Sequence, residues 1–307
     1  MRNTLAAHVI DEFAALEMSA ASREKRLLRV ARGVVVQIGG AEKQRIPLLP
    51  NIAARAMEVA GDPTVSIRML ESLIQPDPML TARVLGIANS PLYGKAGQVK
   101  SLRNALMLLG VSLMRDILYQ TVAEAYIFRG VAKKELRRQR IHAVACGYLA
   151  REVFGALGIG TDYAFLCGLM HDVGRTVLMQ VLEESPPAEL AADDQGRVIE
   201  LIHPHVGAAA AARWRLPSLA REAVRRHHRY RGFRGAKKTD DDEGYSQIGH
   251  AIAATERLAE AVGLGDSGEL VPIAEGGDMV LGELGLFGPE LDTLILRAQE
   301  IRAQMGA

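Results

Sequence analysis

The sequence predicts an all-α protein with a compact multi-helix fold. Apolar residues recur at spacings of three and four rather than two, β-branched runs are short and few, and Ser, Asp, Pro and Gly punctuate the periodic stretches. Residues 21 to 38 open the pattern. Leu27, Leu28, Ala31, Val34 and Val35 share one side, while Arg23, Lys25, Arg26, Arg29 and Arg32 spread around the other, as on a helix with a solvated charged face. "SIRMLESLIQPDP" offers Ser66 as a cap over a stripe of Ile67, Leu70, Leu73 and Ile74, which stops before Pro76. The chain restarts with Asp77 placed to accept first-turn amides and Pro78 at the first helical position, where a missing N–H costs nothing. Leu80, Val84, Leu85 and Ala88 continue that helix until Asn89, Ser90 and Pro91 end it. Ser101 caps "SLRNALMLLG", whose stripe of Leu102, Ala105, Leu106 and Leu109 is closed by Gly110.

A charge run, "VAKKELRRQR", starts the helix that joins this part to the rest. "GFRGAKKTDDDEGY", residues 232 to 245, reads as an exposed loop, and the tail beyond 263 as a loosely apolar connection followed by a final helix from about Pro289. The segment "MRNTLAAHVIDEFAALEMSA" meets Asp11, Glu12 and Glu17 too soon for a signal peptide, and no later stretch reads as apolar over the roughly 20 residues that cross a bilayer.

Composition narrows the class. With 307 residues, 49% of them hydrophobic, the chain can bury one large core or two modest ones. Its 37 basic and 36 acidic residues give no long-range pull toward nucleic acid, and six Phe, seven Tyr and one Trp make no interleaved aromatic platform around "RRQR". Cys146 and Cys167 fall in apolar helical segments and form no disulfide framework, which points to the reducing cytoplasm.

Seven of the eight histidines lie at or beyond position 142. His142 shares a helical face with Ala145, Cys146 and Leu149, and His171 with Ala164, Cys167 and Gly168, so two helices could meet through small residues and bring the imidazoles together. Asp172 adjoins His171, and Gly174 allows a bend just beyond the pair. Ala220, Ala223, Val224 and His227 form another stripe with His228 at its edge. His205 precedes Gly207 and a run of alanines that suggests close approach. Glu256 falls on the line of Ile248, Ile252, Thr255 and Ala259, where an unpaired carboxylate would lose several kcal/mol of hydration. A cation resolves that conflict, and so does a hydrogen-bonded His–Asp–Glu network without metal. Nitrogen and oxygen donors of this kind suit iron, manganese, magnesium or zinc.

"HDVGR", with His142 one loop and helix upstream, resembles the core of the HD superfamily of metal-dependent phosphohydrolases. The stretch from "LLPNIAARAMEV" through "QPDPMLTARVLGIANSPLYG" to "LRNALMLLG", followed by "GLMHDVGR", "HPHVGAAAAARWRLP" and "REAVRRHH", resembles the HDOD domain, a bacterial signalling relative of the HD and HD-GYP domains, over about residues 40 to 240. The resemblance implies metal-ligand roles for His142, His171 and Asp172. It puts Glu256 in the place of the family's later aspartate, and sets His205, His227 and His228 beside the additional HD-GYP histidines. Arg229 stands where that branch has an acidic residue, and the GYP stretch is absent.

The resemblance also implies an organisation: a helical extension over 1–40, an HDOD domain over 41–240 with halves at 41–125 and 130–240, and a segment over 241–307 completing the HD-like half. The expected function is that of a regulatory module acting mainly through a protein partner, with a vestigial or regulatory metal site and no efficient catalysis. The alternative is a metal-dependent phosphohydrolase in which Asp172 holds a metal-bound water and Arg175 and Arg229 contact phosphate.

Overall fold

The computed structural model describes residues 22–39, 46, 48–62, 64–89, 99–128, 134–160, 162–184, 186–188, 190–228, 246–274 and 278–305. These residues contain helices and connections and no strand. In chain order the helices are α1 (Ser22–Gly39), α2 (Asn51–Ala60), α3 (Ile67–Ile74), α4 (Pro78–Ala88), α5 (Leu102–Val122), α6 (Lys134–Ala156), α7 (Ala164–Met170), α8 (Val173–Glu184), α9 (Gln195–Arg213), α10 (Ser218–Arg226), α11 (Gln247–Ala261), α12 (Met279–Glu283) and α13 (Pro289–Met305). Residues 232–245 and Arg229 lie outside the described residues.

The starts follow the side chains that cap them. Ser66 Oγ accepts from the Met69 amide at 3.3 Å, Asp77 Oδ1 from Leu80 at 3.0 Å and Ser101 Oγ from Asn104 at 3.1 Å. Each satisfies one of the amides that a helix N-terminus leaves without a partner. Asn89 does more than end α4. Its amide nitrogen donates to the carbonyls of Leu85 and Val99, and its oxygen accepts from the Val99 amide at 3.0 Å, so one side chain fixes the approach to α5.

Gly110 was expected to close a helix; instead it is a kink inside one. Its φ of 71° and ψ of 174° break the helical path, which then resumes to Val122 and widens into a π-turn at Ala123–Ile127. The resulting stretch, Leu102–Ile127, is 26 residues long and apolar enough to cross a membrane, which corrects the reading that no such stretch exists. It serves as a core helix, since 61% of its most apolar window is buried and Met114, Ile117, Leu118 and Tyr119 are fully enclosed.

A single apolar cluster runs from Leu28 in α1 to Ile301 in α13. α1 packs on α9, and its Arg26, expected in solvent, pairs with Asp194 just before α9. Where α5 meets α6 and α7 the seam is polar. Buried Asp116 pairs with Arg151, Arg115 lies 3.8 Å from Asp162 and over the Tyr163 ring, and the Tyr163 hydroxyl donates to the Gly61 carbonyl at 2.8 Å. Burial pushes the Asp116 carboxyl up to about 7, against the pull of Arg151 and Arg115. The final helix starts at Pro289 as its sequence suggests, whereas the short α12 had no distinct signal.

Candidate metal centre

Two close helix contacts assemble the histidine-rich centre. A methyl group on Gly168 of α7 would run into the Cys146 carbonyl of α6, and one on Gly174 of α8 would run into the His203 carbonyl of α9. With no Cβ in the way, backbone meets backbone, and the turn at His171–Asp172 is held between α6 and α9. The ends of α7 and α10 and the middles of α6, α9 and α11 then aim their side chains at one small volume.

Asp172 is its hub. Oδ1 lies 3.2 Å from Nε2 of both His203 and His227, while Oδ2 lies 2.8 Å from Arg175 Nε, 3.8 Å from His171 Nε2 and 4.0 Å from His142 Nε2. His171 Nε2 is also 3.3 Å from Glu256 Oε1. His203 Nε2 stands 3.1 Å from His227 Nε2 and 2.9 Å from His228 Nε2. Neutral lone pairs repel at that separation, so each contact needs a hydrogen between the rings or a cation before them.

The far side of the rings settles their tautomers. Nδ1 of His142 meets the Leu264 carbonyl at 2.9 Å, that of His171 the Gly168 carbonyl at 2.6 Å, that of His203 the Glu200 carbonyl at 3.0 Å and that of His227 the Val224 carbonyl at 3.0 Å. A carbonyl can only accept, so each Nδ1 carries a hydrogen, and when the ring is neutral its Nε2 lone pair faces inward. Metal-binding histidines are oriented in this way.

Two ligand sets result. His142, His171, Asp172 and Glu256 form one, Asp172, His203, His227 and His228 the other; within each, the potential ligand atoms lie within 4.8 Å of one another. Asp172 belongs to both. The buried His171 Nε2 and Asp172 Oδ1 have no well-directed hydrogen bond, the condition a cation would relieve. These clusters can coordinate a divalent metal. Cys146 makes a third such group with His142 and His171; burial and the nearby Glu256 and Asp172 carboxylates push its thiol well above the usual range.

The carboxylates stay ionised by mutual support. Burial opposes the charge on Asp172, yet His171 and Arg175 hold it well below the ordinary carboxylate range; burial likewise opposes Glu256, which its close contact with His171 brings down to about 2. Burial would lower His171, but Asp172 and Glu256 raise it to about 9. His228 is pushed down to about 4 by burial and by His227.

The structure thus brings His142, His171, Asp172, His227, His228 and Glu256 together and leaves His205 outside both ligand sets. His203 stands where His205 was expected. Two residues apart on a helix, the side chains point about 200° away from each other. Its signal was present in the sequence, because His203 lies in line with Ile199, Val206, Gly207 and Ala210, all of them buried. Arg175 also departs from expectation. Its guanidinium is engaged by Glu200, by Asp266 at 3.0 Å and by Asp172, so it braces the centre and is not free for phosphate. Neither Glu200 nor Asp266 carried a local sequence signal.

The cavity over the centre is small, about 220 Å³, and acidic. Asp172, Glu256, Glu260 and Asp266 line it alongside Arg175 and Arg257. Arg257 is held by Asp278 at 2.6 Å and by the carbonyls of Val271 and Pro272. Both guanidinium groups are therefore committed to acceptors within the fold.

Comparison with known proteins agrees with this architecture. An uncharacterized protein of Treponema pallidum (strain Nichols) is 26% identical over 196 residues, covering 60% of this chain but only 37% of that protein, so the match spans little more than a third of the relative's length. Among solved structures, an HDOD domain protein of unknown function from Geobacter sulfurreducens superposes with a TM-score of 0.58 at 23% identity, covering 93% of this chain and 95% of its own. A proposed metal-dependent phosphohydrolase from Shewanella amazonensis gives 0.66 at 18% identity, covering 91% and 99% respectively. A proposed signal transduction protein from Marinobacter aquaeolei gives 0.60 at 20% identity, covering 92% and 64%. At these identities the structural likeness speaks for the fold. The sequence match is more specific: the model of the HDOD domain covers residues 46–230, well over half the chain, and the chain belongs to that family.

Proposed function

We propose that this protein is a bacterial signal-transduction or regulatory module that works through a protein partner, with a metal-capable centre that stabilises the fold or regulates it. The observation that carries this reading is the state of the cavity above Asp172. It is below the roughly 300 to 1,000 Å³ usual for small-ligand pockets, its lining is rich in carboxylates, and both lining arginines are already engaged. Unless a cation offsets those carboxylates, a phosphoester entering there would meet negative charge, with no disengaged guanidinium among the described lining residues. The ligand set proposed for metal is His142, His171, Asp172, His203, His227, His228 and Glu256, with iron, manganese, magnesium or zinc as the ion. A cytoplasmic location agrees with two buried cysteines that are both free.

The phosphohydrolase reading has one observation of its own: a carboxylate shared by two ligand sets is what a two-metal hydrolytic centre needs. In that reading His142, His171 and the other ligands hold the ions, and Asp172 fixes their spacing. The test compares untagged wild-type protein and Asp172→Ala, each loaded in turn with the four metals, on bis(p-nitrophenyl) phosphate and on cyclic dinucleotides. The regulatory reading expects no turnover above that of the variant, together with recovery of a specific protein partner from the native host. Robust metal-dependent turnover that vanishes in the variant would overturn it in favour of hydrolysis.

A further inference from the structure

We propose that a basic groove between the two halves of the molecule is a binding site for a small phosphorylated molecule of about nucleotide size. The groove is separate from the histidine centre and encloses about 580 Å³, inside the range of small-ligand pockets. It gathers the "RRQR" run that the regulatory reading leaves without a role. Lys134, Arg137, Arg138 and Arg140, from the first turns of α6, line it together.

The charge there is not neutralised internally. Among the described residues lining the groove Glu124 is the sole acidic one, and it is already engaged by Arg83 at 3.2 Å, Arg140 at 4.0 Å and Gln120 at 3.0 Å. Lys134, Arg137 and Arg138 form no ion pair or hydrogen bond among the described residues. Three unpaired cations in a concave space concentrate positive potential, and the two arginines can each grip a phosphate oxygen pair through a planar fork. Ile87 and Ile141 supply an apolar wall for the rest of the ligand.

Other anions fit less well. Bases of a single-stranded nucleic acid need exposed aromatic faces, and among the described residues Tyr148 is the one aromatic lining the groove. Its ring is buried edge-on to Phe165 at 5.1 Å, and its hydroxyl is tied to Gln120 at 2.7 Å. An occupant would touch α4, the end of α5, α6 and the last turn of α13 at once. It would therefore act on the packing of the two halves.

The experiment is equilibrium binding of ATP and of inorganic pyrophosphate to the full chain in the presence of EDTA. Two variants address the groove: Arg137→Gln with Arg138→Gln, and Gly86→Trp. Gly86 lines the groove and a Cβ there meets no atom within 4 Å, so a large side chain at this position starts from open space on the groove's wall. Circular dichroism confirms that each variant is folded. The expected result is saturable ATP binding that survives chelation and weakens about tenfold or more in each variant. The proposal is overturned if ATP does not bind, if chelation abolishes binding, if folded variants bind as the wild type does, or if single-stranded RNA binds more tightly than ATP and displaces it.

Discussion

Asp172 carries charge for more neighbours than any other side chain of the centre. Replacing it with Ala leaves Arg175 and several imidazoles buried without their common acceptor, and removing one member of a buried ion pair costs about 3–5 kcal/mol. Urea denaturation should show a loss of that order. Metal analysis should separate the ligand sets: Asp172→Ala removes the ligand common to both and should abolish bound metal, whereas Glu256→Gln leaves Asp172, His203, His227 and His228 and should retain part of it. Metal retained at the wild-type level in Asp172→Ala would refute this assignment. Asp116 yields a pH prediction at the same scale. Burial raises its folded-state pKa from 3.8 to about 7, with Arg151 and Arg115 pulling down and Asp162 adding to the rise. The native state then keeps a proton that the unfolded chain releases, so this contribution to stability is full below about pH 4 and declines as pH rises through 7. The stability difference between wild type and Asp116→Asn should change across that window; a difference independent of pH would contradict it.

Helix contacts decide whether those residues can meet. Gly174→Ala places a methyl group against the His203 carbonyl and must push α8 away from α9, which should destabilise the protein by about 1–3 kcal/mol or more and weaken metal binding. Gly155→Ala in α6 meets no atom within 4 Å and should stabilise by about 0.5–1 kcal/mol. Thermal melts of the two variants check both signs. The same contrast explains what could be read from sequence. Ser66, Asp77 and Ser101 announce their helices because a cap is a local event, and the stripes carrying His142, His171, His227 and Glu256 are local periodicities. Gly110 is ambiguous in the sequence because glycine serves equally at an end and at a kink, and which one occurs depends on the core beyond it. The small residues after Gly207 point to His205, whereas His203 carries its signal on the stripe running through Ile199 and Val206. Glu200 and Asp266 acquire their roles only through Arg175, which lies far from Asp266 in sequence and on a different helix from Glu200.

Across the whole molecule, one continuous apolar core and the Asp116–Arg151 seam join the part before residue 128 to the histidine-bearing part. Unfolding should therefore be one cooperative transition, with the fluorescence of Trp214 and helical circular dichroism changing at the same urea concentration; separated transitions would show two independent units. The segment after α11 closes the centre from outside. Asp266 engages both Arg175 and Gln139, so Asp266→Ala should weaken metal binding about 10- to 100-fold through loss of ligand support, as read by competition with a chelating dye. That closure also imposes an order on synthesis. His171, His203 and His227 each find the carbonyl that fixes their ring within four residues behind them, on backbone already made. His142 depends on Leu264, 122 residues ahead of it. On the ribosome, the half of the centre built on His203 and His227 can acquire its ring orientations first, while His142 waits until Leu264 has emerged.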